Sequence, residues 1–218
     1  MDIATNLKHI AETIRQTKKH YQLPGNDIDL IAVSKYQPVK KIQEALEAGH
    51  RIFGENRVQE MLEKWPDLKA SYPDIELHLI GPLQTNKVKD ALSIADVIET
   101  VDRKKLVDSL VKHGCQCPCY IQVNTGQEEQ KSGVSIDELE SLLTYATAQG
   151  LIIVGLMCIP PKNEDPSLHF ALLKQLAARY RLDKMSMGMS SDFKEAIAQG
   201  ATSVRVGTGV FGSRLPVK

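Results

Sequence analysis

Eight short apolar runs alternate with segments of helical periodicity along this chain, and that alternation limits its possible folds more than any other feature. The runs cover residues 30–35, 51–55, 76–81, 96–101, 119–124, 152–159, 184–189 and 203–207. Each has strand length and ends at turn-forming residues. Helical patterns at 38–49, 56–64, 85–94, 103–113, 135–149, 166–180 and 192–199 lie between them, with Pro66 and Pro73 punctuating the loop after the second. Glycines 49, 114, 150 and 200 stand at four helix-to-strand joints, where a left-handed residue closes a helix. Such alternation implies right-handed βαβ units and a parallel sheet. Eight units predict an α/β fold, a (β/α)8 TIM barrel spanning 1–218 as one domain; a doubly wound open sheet is the alternative.

One further helix is expected at 2–21, with Ile3, Leu7, Ile10, Ile14 and Tyr21 on one face and Pro24-Gly25 as its stop. Residues 210–218 are too few for a full eighth helix, so 2–21 is expected to fill that place in the outer ring.

Charge narrows the partners. Lys+Arg and Asp+Glu both number 27, so no net positive charge is available to bind nucleic acid or an anionic membrane by bulk attraction. No apolar run reaches bilayer length, and Met1-Asp2-Ile3-Ala4 lacks the layout of a signal peptide, so a cytoplasmic protein is expected. Cysteines stand at 115, 117, 119 and 158. An extended C-x-C-x-C run does not bring sulfurs to one ion as a C-x-x-C turn does, so buried thiols are expected here and no metal.

Chemistry in such barrels gathers at the C-terminal ends of the strands. The first run, Leu30 to Lys35, ends on a lysine. A lysine there either snorkels to water or is held partly desolvated, in which state its amine is a nucleophile toward aldehydes. The loops after strands seven and eight, the usual phosphate seat, carry Ser190-Ser191 before a helix and the glycine-flanked turn Gly207-Thr208-Gly209. Asp192 with Glu195 has the spacing of a capping box. Taken singly, the Ser190-Ser191-Asp192 stretch reads better as a plain helix cap and the glycines as a plain turn.

Together the blocks form a pattern. Ala32-Val33-Ser34-Lys35, Phe53 to Glu60, His78 to Lys87, Gln122-Val123-Asn124, Lys131-Ser132-Gly133, Gly155-Leu156-Met157, Ser186 to Phe193 and Val204 to Thr208 follow one another in order. In these blocks the chain resembles the pyridoxal-phosphate homeostasis protein family, single barrels similar to the N-terminal domain of alanine racemase. The resemblance implies pyridoxal 5'-phosphate (PLP) as cofactor, held by Lys35 as an aldimine. It implies a phosphate cradle from Ser190, Ser191, Gly207 and Thr208, with Arg205 for the pyridine nitrogen and Asn56 lining the ring. His78 is open between ring contact and a core role, and Lys131 is a weaker candidate.

A guanidinium beside the pyridine nitrogen disfavours its protonation and weakens the ring as an electron sink. Racemases of this type also use a tyrosine from a second domain, which this chain is expected to lack; Tyr36 should point to the other side of its strand. A carrier that buffers PLP and supplies apo-enzymes, rather than an enzyme, is therefore expected, as a monomer. The alternative is a PLP-dependent racemase or lyase. A phosphosugar aldolase using Lys35 fits the barrel but leaves Arg205 and the 186–193 block unexplained.

Overall fold

The computed structural model describes residues 2–23, 27–128, 130 and 132–212. The strands are β1 Asp29–Val33, β2 Ile52–Glu55, β3 Glu76–Leu79, β4 Val97–Val101, β5 Cys119–Val123, β6 Ile153–Cys158, β7 Lys184–Met189 and β8 Ser203–Val206. They close into a barrel in sequence order, and every neighbouring pair is parallel. The helices are α1 Ile3–His20, α2 Val39–Glu47, α3 Val58–Ser71, α4 Val88–Leu92, α5 Lys104–Lys112, α6 Ile136–Ala148, α7 Pro166–Arg179, α8 Phe193–Ala198 and α9 Thr208–Phe211. The expected (β/α)8 barrel with an extra N-terminal helix is the fold observed.

Both sides of the strands are covered, so β4 and β5 are buried at every residue. The helices supply the outer layer with apolar faces such as Leu106, Val107 and Leu110 of α5 and Phe170, Leu173 and Leu176 of α7. The inside of the barrel is different. Ser186 of β7 donates to Glu99 of β4 at 2.6 Å, a bond between strands that are not neighbours and therefore one that crosses the interior.

Helix α1 takes the place left in the outer ring. It packs against α2, α8 and α9, buries Ile3, Leu7, Ile10 and Ile14, and donates from Asn6 Nδ2 to the Val210 carbonyl at 2.9 Å. Tyr21 is exposed rather than on that face. The stop at Pro24-Gly25 lies outside the described residues. Within them, Gln22 closes the helix at φ +50°, with Leu23 N–H donating back to Lys18. The glycines at 49, 114, 150 and 200 all take the left-handed conformation expected of them.

Three expectations about local structure are corrected. Pro66 lies inside α3, not in the loop beyond it. Val58, Met61, Trp65 and Leu68 keep one buried face running through it, while Pro66 itself is exposed, so burial outweighs the lost hydrogen bond. The segment at 85–94 opens as a 3-10 turn, Thr85–Lys87, before α4. The turn at 207–209 opens a short helix, α9, with Gly207 as its N-cap.

Candidate cofactor site

Lys35, Asn56, Ser190, Ser191, Arg205, Gly207 and Thr208 line one cavity of about 340 Å³. They come from the loops after β1, β2 and β7, the end of β8 and the start of α9, so the cavity opens at the C-terminal end of the barrel. Val33, Ile80, Ile159 and Met189 supply apolar wall. A small-molecule site has this make-up, with polar groups converging in an apolar cleft.

The loop carrying Lys35 is fastened on both sides. Ser34 Oγ donates to Glu55 Oε1 at 2.9 Å, and the Ser34 carbonyl accepts from Lys64 Nζ at 3.2 Å. Tyr36 N–H donates to Glu60 Oε2 at 2.9 Å, and Lys64 bridges Glu60 at 2.6 Å and Glu55 at 3.2 Å. Burial pushes Glu55 above the usual carboxylate range against the pull of Lys64 and Ser34. Burial also raises Glu60, but its bonds from Lys64 and Tyr36 N–H outweigh that and hold it low. Tyr36 sits beyond the end of β1 at φ +60°, a left-handed conformation unusual for a side chain of its size. It is exposed under the Arg57 guanidinium and lines a neighbouring cavity rather than this one.

Arg205 is held from behind. Its Nη1 donates to Ser186 Oγ at 2.6 Å and its Nη2 to the Cys158 carbonyl at 2.8 Å, with Glu99 Oε2 at 3.8 Å. Glu99 continues the chain to His78 Nδ1 at 2.8 Å, and His78 Nε2 reaches Glu76 Oε1 at 2.7 Å. Burial alone would lower His78, but hydrogen bonds to Glu76 and Glu99 outweigh it and raise its pKa to about 9, which makes it an imidazolium donating from both nitrogens. Burial likewise works against Glu99, yet His78, Arg205 and Ser186 hold it below the usual range. His78 does not line the cavity. It belongs to the buried network behind Arg205, because both ring nitrogens are already engaged.

The two loops expected to seat an anion are tied to each other. Gly207 N–H donates to Ser190 Oγ at 3.3 Å, tying the β7 and β8 loops together. A Cβ on Gly207 would press within 3.3 Å of the Val33 carbonyl. The expected capping box is not formed. Asp192 Oδ1 accepts instead from Met189 N–H at 2.6 Å and shapes the turn that carries Ser190. The helices that follow are short, α8 six residues long and α9 four, so the hydroxyls and local N–H groups of these loops are the donors they offer.

Asn56 gives the clearest sign of a ligand. Its Oδ1 is buried and makes no hydrogen bond among the described residues, although it borders the cavity. Gly81 fixes its backbone, since a Cβ at 81 would fall 2.1 Å from the Asn56 carbonyl oxygen. An unsatisfied buried acceptor, hydroxyl and N–H donors on the β7 and β8 loops and a half-buried lysine after β1 fit a cofactor with an aldehyde, a ring and a phosphate. Lys131 lies outside the described residues.

Sequence reasoning missed Glu99 as a functional residue. A carboxylate within the apolar run 96–101 was the signal available. Ile159 was read as a strand end and is instead part of the cavity wall.

Comparison with known proteins accords with this geometry. The family model for the alanine racemase N-terminal domain matches residues 5–215. The pyridoxal phosphate homeostasis protein of Pasteurella multocida is 37% identical over 232 residues, covering 98% of each chain. That of Vibrio alginolyticus is 40% identical, covering 97% of each. The structure of PipY from Synechococcus elongatus, with PLP bound, superposes with a TM-score of 0.82 at 34% identity, covering 97% of this chain and 100% of PipY. Alanine racemase from Corynebacterium glutamicum shares the fold, with a TM-score of 0.68 at 18% identity over 61% of that enzyme's chain. Matched across almost its whole length in sequence and architecture, the chain belongs to the pyridoxal phosphate homeostasis protein family, built on the alanine racemase N-terminal domain fold.

Proposed function

We propose that this chain, as one barrel domain, binds PLP in the cavity, with Lys35 as its point of attachment, and serves intracellular PLP homeostasis by holding the cofactor and giving it up to apo-enzymes. The observation that carries the reading is that seven residues from the ends of four strands, a lysine and the hydroxyl and N–H donors of the β7 and β8 loops among them, meet in one cavity. Bound PLP supplies an aldehyde that condenses with amines and a ring that withdraws electrons. Ser190, Ser191, Gly207 and Thr208 are assigned to the phosphate, Asn56 to the ring edge and Arg205 to the ring nitrogen. Arg205 carries a permanent charge locked by Ser186 and Cys158, so it repels a proton at the atom beside it and keeps the ring a weak sink.

The cavity lining supports a carrier over a racemase. Apart from Lys35, the described lining residues offer no histidine, tyrosine or carboxylate to serve as a second acid–base group. Tyr36 lines the adjoining cavity. We further take the protein to be a cytoplasmic monomer; no helix among the described residues is long and apolar enough to cross a membrane.

Incubation of the PLP-loaded protein with single amino acids in deuterated water tests the assignment. The carrier reading expects loss of bound cofactor in proportion to the protein present, without exchange of the α-proton. Exchange over many turnovers would replace it with an enzyme.

A further inference from the structure

The three alternating cysteines do not lie along an extended strand, as the sequence suggested. Between α5 and β5 the chain turns at Gly114, φ +72°, and curls so that the sulfurs converge. Cys115 Sγ lies 3.6 Å from Cys117 Sγ and 3.9 Å from Cys119 Sγ, and all three fall within 4.8 Å of one another. We propose that Cys115, Cys117 and Cys119 form a three-thiolate site for a soft cation, at the end of the barrel opposite the cofactor cavity.

The spacing is that of sulfurs around one ion. At a metal–sulfur distance of about 2.3 Å, two ligands lie about 3.8 Å apart in a tetrahedral site and about 4.0 Å apart in a trigonal one. Thiolate ligands select soft ions such as Zn(II), Cd(II) or Cu(I) over Mg(II) or Ca(II).

The arrangement is also held in place. Cys115 N–H donates to the Leu110 carbonyl at 3.0 Å, the Pro118 carbonyl accepts from Ile98 N–H at 3.1 Å, and Cys119 N–H donates to Ile152 at 2.8 Å. These bonds anchor both ends of the curl to the barrel, so little rearrangement is needed to close on an ion. Cys115 and Cys119 are buried and Cys117 is half-buried, which leaves the Cys117 side for entry and for a water as further ligand. The Cys115 and Cys119 thiols contact the Cys117 carbonyl at 3.9 and 3.5 Å. Each S–H that becomes a metal–sulfur bond releases its proton to solvent.

The site stands apart from Lys35 and can be tested separately. The full chain, reduced and kept anaerobic, is titrated with Cd(II), following the near-ultraviolet thiolate-to-metal band and equilibrium dialysis. One Cd(II) per chain is expected. Cys117→Ser, at the least buried of the three, should fold normally by circular dichroism yet lose affinity by roughly tenfold or more. Cys158→Ser should bind as the parent does, because Cys158 lies on β6 outside the cluster. Absence of stoichiometric binding by the reduced protein, or unchanged affinity in Cys117→Ser, overturns the site. So does a protein that ignores Cd(II) and in air forms a Cys115–Cys117 disulfide, which would make the cluster a redox pair.

Discussion

Replacing Glu99 by glutamine should both weaken the fold and change how its stability depends on pH. Glu99 is fully buried, with His78, Ser186 and Arg205 around it. Losing its charge leaves the Arg205 guanidinium buried without a carboxylate, a change that costs about 3–5 kcal/mol. His78 can shed its proton, so its part of the loss varies with pH. In the parent protein its pKa is raised from 6.5 to about 9, so the folded state keeps a proton that the unfolded chain releases. That stability is fully present below pH 6.5 and is lost as pH rises through about 9. At about 1.36 kcal/mol per pH unit the contribution is roughly 3 kcal/mol. Glu99 behaves oppositely: held low, it stabilises above its ordinary 4.5 and ceases to do so on acidification. Urea unfolding between about pH 6 and 9, read from the buried Trp65, measures both effects. The parent curve should fall across that range. The Glu99→Gln curve should start lower and decline by half or less, because Glu76 alone then faces His78. Parallel curves would refute the claim that Glu99 holds the His78 proton.

Gly81→Ala should destabilise the protein by about 1–3 kcal/mol and weaken PLP retention, because the new methyl meets backbone at Asn56 rather than a side chain that could move aside. Thermal unfolding and the absorbance of bound cofactor, measured on one sample, check both halves. Deleting residues 1–21 uncovers the barrel that Ile3, Leu7, Ile10 and Ile14 protect, at about 1.5–3 kcal/mol for each side chain. That sum is comparable to a whole domain's stability, so the truncation should not fold, and a cooperatively melting fragment would show the helix to be dispensable.

The barrel was legible because period and punctuation agree along the whole chain. Each strand run sits between turn residues, and the joint glycines take the backbone conformation their positions imply. Lys35, Asn56 and the two anion loops were legible because they fall at strand ends, where a closed barrel must bring them together. His78, read as open between core and cofactor, could not be resolved without its neighbours. Its role depends on Glu76 two residues away and Glu99 on the next strand, a pairing set by barrel register rather than local sequence. Pro66 misled because a proline ends a helix only when its neighbours do not demand otherwise, and Trp65 and Leu68 do. The cysteines misled for a related reason: residues two apart share one face of a strand but stand about 7 Å apart along it, whereas this run curls after a left-handed glycine and only Cys119 belongs to β5.

The most direct test of the account is where PLP becomes attached. The purified protein is loaded with PLP, reduced with borohydride, digested and mapped by mass spectrometry. A single pyridoxyl group on Lys35, absent from Lys35→Ala, is the predicted result. A protein that takes up no cofactor, or carries the group on another lysine, would contradict the assignment of this cavity.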